Sequence, residues 1–269
     1  MSYEAAVVES VAETSMNSKE LDGFIYLLSH DVRTAMRALI EIPQWIEEDL
    51  AEAGHPVDGA IADHFDLLNK NARRLDRMLV DLLVYSRVAR MQSVELVDMT
   101  DVIEQVKDTI TIPPSFRLFC DFKAAALHLG ARDALTLVTN LVANAIRHHD
   151  KDFGTVHIST HMQDEATTLI VTDDGPGIPD EHRLRVFEPM TTLKSRDIVE
   201  GSGMGLAIVQ KIARVYGAKI AWLKTEGGRG TSIAITFPAL SFAQINKPKI
   251  PGARDSELSK TADIGFDAS

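Results

Sequence analysis

A single cysteine, Cys120, in 269 residues excludes an intramolecular disulfide and a zinc site built on cysteines. It fits a reducing compartment. No run of about 18 apolar residues occurs, so no helix is expected to span a membrane. Basic residues are in deficit: 28 Lys and Arg against 39 Asp and Glu leave a net charge of −11 and a pI near 5.3. With no basic run either, a nucleic-acid partner is not expected, because neutralising phosphates needs a basic face. The first residues, "MSYEAAVVESVAE", lack the basic-then-apolar order of a signal peptide. A cytoplasmic location is the resulting expectation. No internal repeat or low-complexity tract stands out.

Two kinds of pattern fill the chain. Residues 1–18 are polar and Ala/Glu/Ser-rich and read as a tail or a helix extension. From residue 19 apolar residues recur at alternating steps of four and three: Leu21, Ile25, Leu28, Val32, Ala35, Leu39, Ile42 and Ile46. "EAGHPVDGA" breaks the row, and a second begins: Ile61, Phe65, Leu68, Ala72, Leu75, Leu79, Leu82. This is the a/d spacing of packed helices. Residues 19–92 therefore read as an antiparallel helical hairpin, and two hairpins pairing as a homodimeric four-helix bundle would bury the apolar rows. Pro43 falls inside the first helix. The apolar spacing continues past it, which favours a kinked continuous helix over one that ends near residue 42.

Over 98–239 the pattern is mixed. "ELVDMTDVIEQVKDTI" reads as a helix with Thr100 as N-cap. "FRLFCDF" alternates like a strand, "RDALTLVTNLVANAIRHH" is helical, and "TVHISTHM" and "TTLIVTDD" form a strand pair about the turn "QDEA". "GMGLAIVQKIARVYG" is a helix ending at Gly217, and "KIAWLKT" and "TSIAITF" pair around "EGGRG". The expected chain is thus multi-domain: an all-α hairpin, then an α+β two-layer sandwich with a mixed sheet and helices on one face. Residues 240–269 are polar, lack periodicity and read as a disordered tail.

Several residue groups in this frame suit chemistry. His30 lies two positions past Leu28, off the apolar row, with Asp31 beside it. A carboxylate can hold one imidazole proton and leave the other nitrogen nucleophilic, although a His–Asp pair alone more often reads as a solvated surface. Asn140 and Asn144 stand at i, i+4 on one helical face, where amide oxygens suit a hard cation such as Mg2+. Arg147 follows within a turn, in reach of a phosphate, and His148 could stack on a base or ribose. Asp173 ends a strand and could accept from an adenine amino group, while Gly175 and Gly177 admit the base plane close to the backbone. The segment "RVFEPMTTLKSRDIVEGSG" is a long loop, anchored on Phe187 and Met190, from which Lys194 and Arg196 could reach phosphates. Gly201, Gly203 and Gly205, then Leu206, lead into a helix whose N-terminal amides suit a phosphate. Thr231 opens the last strand and could hold a water beside adenine.

As an ordered set over residues 19–239, these pieces resemble the dimeric sensor histidine kinases. "SHDVRTAMRAL" is similar to their phosphoacceptor box, with Ala35 where that family often has Pro. The two-Asn, DxGxG, Phe-containing, GxGxGL and Gly-Thr segments resemble the ATP-binding domain of the gyrase, Hsp90, histidine kinase and MutL superfamily. The resemblance implies autophosphorylation of His30 from Mg·ATP, with Asp31 as base or orienter, then transfer to an Asp of a separate response regulator receiver domain. It also implies a homodimer, and a separate soluble sensor or regulator protein is a conceivable input partner. Thr34 falls where family members orient a hydrolytic water, so a phosphatase step is a further expectation. Hydrolytic relatives carry a Glu four residues before the metal-binding Asn. Here that residue is Asn140, an amide without useful basicity. Two alternatives stay open: a phosphotransfer or scaffold protein with a decayed ATP domain, and a serine kinase of the anti-sigma type.

Overall fold

The structure, a computed structural model, describes residues 32–90, 92–124, 126–193 and 201–239. Helix α1 is described over 32–52 and runs unbroken through Pro43, which is buried. A turn containing Gly54, with φ 78°, leads to α2 (Gly59–Arg87). The two apolar rows divide between inside and outside. On α2, Ala72 is buried and Phe65 and Leu79 are partly covered, while Ile61, Leu68 and Leu75 remain 46–58% exposed. On α1 the covered row is Met36, Ile40, Pro43 and Leu50, one position on from the expected one; Ala35, Leu39, Ile42 and Ile46 face outward. The hairpin thus turns one apolar stripe inward and leaves a second on its surface.

The α/β part begins with β1 (Glu95–Asp98), paired antiparallel with β3 (Ala126–Leu129) in a small ribbon. The sequence pattern did not resolve this ribbon. Its strands have four residues each, and β1 runs straight into α3 (Met99–Thr109). The N-cap is therefore Asp98, whose side chain accepts from Thr100 N at 2.7 Å, and not Thr100 itself.

The main sheet has the order β2-β4-β5-β7-β6, with β2 (Phe116–Phe122), β4 (Gly154–Gln163), β5 (Ala166–Asp173), β6 (Lys219–Trp222) and β7 (Ser232–Phe237). β2 and β4 are parallel; the other neighbours are antiparallel. Register aligns the inward side chains in rows: Ile158, Val171, Ile233 and Trp222 in one, Thr160, Leu169, Ile235 and Ile220 in the next. Such cross-strand neighbours are the unit of sheet stabilisation. The β4–β5 hairpin turns on Asp164 and Glu165, both left-handed at φ 50° and 63°, as a primed two-residue turn requires.

Helices α3, α4 (Ala131–Arg147) and α5 (Gly205–Val215) cover one face of this sheet. On α4 the buried stripe is Ala134, Leu137, Val138, Leu141, Val142 and Ala145, a 3.6-residue period pressed on the sheet. The same helix presents Asn144 and Arg147 at its C-terminal end, so core packing aims the functional end. No helix among the described residues is long and apolar enough to cross a membrane.

Candidate functional site

A cavity opens between the C-terminal half of α4, the turn after β5, the loop before α5 and the start of β7. Among the residues lining it are Asn144, His148, Asp173, Gly177, Leu206 and Thr231, together with the loop residues Thr191–Leu193. With Gly203, seven sequence-expected site residues thus converge from four separate segments.

Asp173 is the polar centre. Its Oδ1 accepts from Gly175 N at 2.9 Å and from Thr231 N at 3.1 Å, and its own N–H donates to Thr231 O at 2.9 Å. Neither of those two bonds falls on Oδ2, and the Thr231 side chain also hydrogen-bonds the carboxylate. Burial pushes the Asp173 carboxyl above the ordinary carboxylate range, and hydrogen bonds from Gly175 and Thr231 only partly offset this. The glycines around it are set by backbone approach. A Cβ on Gly175 would meet Asp173 Oδ1 at 2.9 Å; one on Gly177 (φ 79°) would meet Gly230 O at 2.9 Å. Gly230 itself, at φ 92°, lies against the Asp173 carbonyl so closely that a Cβ there would collide with it.

The two asparagines separate. Asn144 lines the cavity. Asn140 donates from Nδ2 to Thr136 O at 2.8 Å, and its Oδ1 lies against Gly205, where a Cβ would meet it at 2.9 Å. Asn140 thus joins α4 to the start of α5 and is not among the residues lining the cavity. Arg147 is exposed and reaches the glycine loop, with Nη1 3.8 Å from the position of a Cβ on Gly201. Gly203, at φ 74°, packs against the backbone of Met190 and Thr191, so the loop before α5 closes directly on the segment after Phe187. Phe187 is buried, with its ring 5.6 Å from that of Trp222, and anchors that segment as expected; Met190 does not, being 48% exposed. Thr34 is exposed on α1. His30, Asp31, Lys194 and Arg196 lie outside the described residues, as do the two tails.

Two groups of residues escaped the sequence reading. His149, its side chain 2% exposed, follows His148 but turns into the fold. Its Nδ1 accepts from Lys151 N at 3.0 Å, which leaves Nε2–H to donate to Asp174 Oδ1 at 3.2 Å. Asp174 also accepts from Thr155 N at 2.7 Å, and Arg229 joins its carbonyl (2.9 Å) to Asp150 (2.6 Å). Partial burial opposes ionisation of Asp174, yet the bonds from Thr155 and His149 hold it below the ordinary range. This network braces the outer side of the Asp173 turn. Only the doubled "HHD" and "DDG" hinted at it. The second group is on α2: Asp81 accepts a hydrogen bond from Ser202 in the glycine loop and feels the charges of Arg147 and Arg77, while burial holds its carboxyl above the usual range. Ser202 is itself buried and accepts from Met204 N at 3.1 Å.

A half-buried carboxylate facing a cavity, an amide beside it, and a glycine loop opening a helix together suit an adenine nucleotide, base inward and phosphates toward α5. Comparison with known proteins agrees. Residues 130–241 match the family described as Histidine kinase-, DNA gyrase B-, and HSP90-like ATPase. The alginate biosynthesis sensor protein KinB of Pseudomonas aeruginosa is 27% identical over 241 residues, 86% of this chain and 39% of that protein. The methanogenesis regulatory histidine kinase FilI of Methanothrix harundinacea is 27% identical over 238 residues, 86% of this chain and 26% of that protein. The chain therefore spans well under half the length of these two relatives. The full-length ShkA structure in complex with AMPPNP shares the fold, with a TM-score of 0.59 and 19% identity over 80% of this chain and 45% of that one. Over residues 130–241 the chain is thus similar to the histidine kinase, gyrase B and HSP90-like ATPase family, and over most of its length it resembles sensor histidine kinases.

Proposed function

We propose that the chain is an ATP-dependent protein-histidine kinase that phosphorylates itself on His30 and passes the phosphoryl group to an aspartate of a response regulator. The observation that carries this reading is the state of Asn140. Where a hydrolytic relative has a water-activating carboxylate, this chain has an amide already committed to Thr136 O and packed on Gly205. Among the described residues lining the cavity, the only carboxylate is Asp173, and it is bound up in the adenine end. Bound ATP therefore waits for a nucleophile other than water. Incubation with ATP labelled in its γ-phosphate is expected to leave label on the chain that acid releases and alkali does not; acid-stable label would favour a serine kinase instead.

In this mechanism Asp173 and the glycine turns seat the base, and Arg147 and the amides at the start of α5 hold the phosphates. Asn144 is the described residue that fits a Mg2+ ligand. A single neutral amide makes a weak site, so the ion would arrive shared with the phosphates and neutralise charge as the γ-phosphoryl group moves. The lone pair of a His30 ring nitrogen forms the new N–P bond. The bond between the γ-phosphorus and the β–γ bridging oxygen breaks, ADP leaves with that electron pair, and Asp31 takes the proton from the other ring nitrogen.

We infer a homodimer from the exposed stripe Leu39, Ile42, Ile46, Ile61, Leu68 and Leu75. Burying each Leu contributes about 1.5–3 kcal/mol, and symmetry counts each change twice. Leu68→Glu with Leu75→Glu is expected to turn a dimer into a monomer in analytical ultracentrifugation at micromolar concentration; a wild-type monomer would refute the dimer. Thr34, exposed on α1 and four residues after His30 in the sequence, is assigned the orientation of a hydrolytic water on the phosphorylated regulator. Thr34→Ala is expected to lower the regulator's dephosphorylation at least ~10-fold, as for loss of a positioning contact, with labelling of the kinase unchanged; full phosphatase activity in the variant would refute that role.

A further inference from the structure

The end of α2 is built into the ATP-binding domain. Leu83, Ser86 and Val88 are buried, and Leu82, Val84 and Tyr85 pack against the domain's core. Lys211 of α5 donates from Nζ to Tyr85 O at 2.6 Å and sits 4.2 Å over the Tyr85 ring. The chain then turns at Ala89, left-handed at φ 60°. Ala89 N–H donates at 2.8 Å to Oδ2 of Asp133, on the first turn of α4. Tyr216, just past α5, donates its hydroxyl to the same oxygen at 2.7 Å and accepts from Gly130 N at 3.1 Å. Arg132 N donates to Gln92 Oε1 at 3.2 Å, tying the following residues to the same place.

Asp133 is 3% exposed. A carboxylate that deep, held by neutral donors, is unfavourable unless every bond is made. It sits where three segments meet: the end of α2, the start of α4 and the end of α5. Helix α4 carries Asn144 and Arg147, and α5 begins at the glycine loop. Any tilt of α2 about this junction therefore changes where the hairpin stands relative to the phosphate end of the cavity.

We propose that Asp133 is a positioning residue, the pin of a fixed joint that makes residues 82–90 and the ATP-binding domain one rigid body and sets the angle of the hairpin. The joint is independent of which group accepts the phosphoryl, so a distance measurement reads it even if the kinase reading fails.

The test uses the full chain with Cys120→Ser and spin labels on Asp63→Cys of α2 and Gln163→Cys at the end of β4, diluted with unlabelled chain. The unsubstituted joint is expected to give one narrow distance distribution. Asp133→Ala and Tyr216→Phe are each expected to broaden it about twofold, as for a local opening, with ATP affinity unchanged as proof of a folded domain. Asp133→Asn retains an oxygen that can accept both bonds and is expected to stay narrow. Should Asp133→Ala fail to fold, Tyr216→Phe decides alone. A broad distribution in the parent, or an unchanged width in the variants that fold, overturns the proposal.

Discussion

Asp173→Asn is expected to weaken ATP binding about 100-fold, a cost typical of one buried, charge-assisted hydrogen bond turned into a donor–donor clash. The backbone argues for a clean effect. Gly175 N and Thr231 N both donate to Oδ1, and the asparagine oxygen can keep those bonds, so the turn after β5 should hold its shape. The NH2 group then falls where Oδ2 would meet the adenine amino group, and two donors face each other. Guanine presents a carbonyl oxygen at that position, so the ratio of ATP to GTP affinity should fall in the variant even as ATP binding is lost. Titration calorimetry with both nucleotides checks this. Equal ATP affinity in the variant and parent would show that Asp173 does not read the base.

The same residue makes binding depend on pH. Burial raises the Asp173 carboxyl above the ordinary range. An adenine amino donor favours its ionised form, so ATP binding should strengthen as pH rises through that raised value and weaken as pH falls through it. Asp173→Asn should remove this dependence. For stability the sign is the opposite: a carboxylate whose folded pKa is raised destabilises the fold as pH rises from the unfolded to the folded value. The turn around Asp173 should thus be most stable toward acid when no nucleotide is bound.

Much of this was legible in the sequence, for identifiable reasons. The α4 stripe repeats every 3.6 residues because one face of α4 rests on a sheet, so helix, face and functional end follow from one pattern. Thr231 and Asp173 could be paired only as members of ordered motifs; that Asp173 N–H bonds Thr231 O while Thr231 N–H bonds the Asp173 side chain needed the register of β5 with β7. Asn140 shows the limit of spacing arguments. An i, i+4 pair predicts a shared face, yet the neighbour on that face is the start of α5 for Asn140 and the cavity for Asn144. Asp133 was not legible at all, because its partners Ala89 and Tyr216 lie 44 and 83 residues away and neither belongs to a recognisable pattern. On α1 the expected apolar row lies mostly on the exposed surface, while the row covered within the hairpin is one residue on.

The largest effect of all is expected at His30. An imidazole nitrogen is a nucleophile with a lone pair in the ring plane, whereas the glutamine amide nitrogen has its pair delocalised and cannot form a comparable N–P bond. His30→Gln should therefore abolish self-phosphorylation, a loss of at least ~1000-fold for removal of the nucleophile. It should leave ATP affinity unchanged, because His30 precedes the ATP-binding domain by about a hundred residues in the sequence and is not one of the residues assigned to seat the base. The deciding measurement sets parent and His30→Gln side by side with ATP labelled in its γ-phosphate and reads label on the chain together with nucleotide affinity. The account predicts acid-labile label on the parent, none on the variant, and equal ATP affinity in both. Label of the same amount and acid-lability on the variant would contradict it.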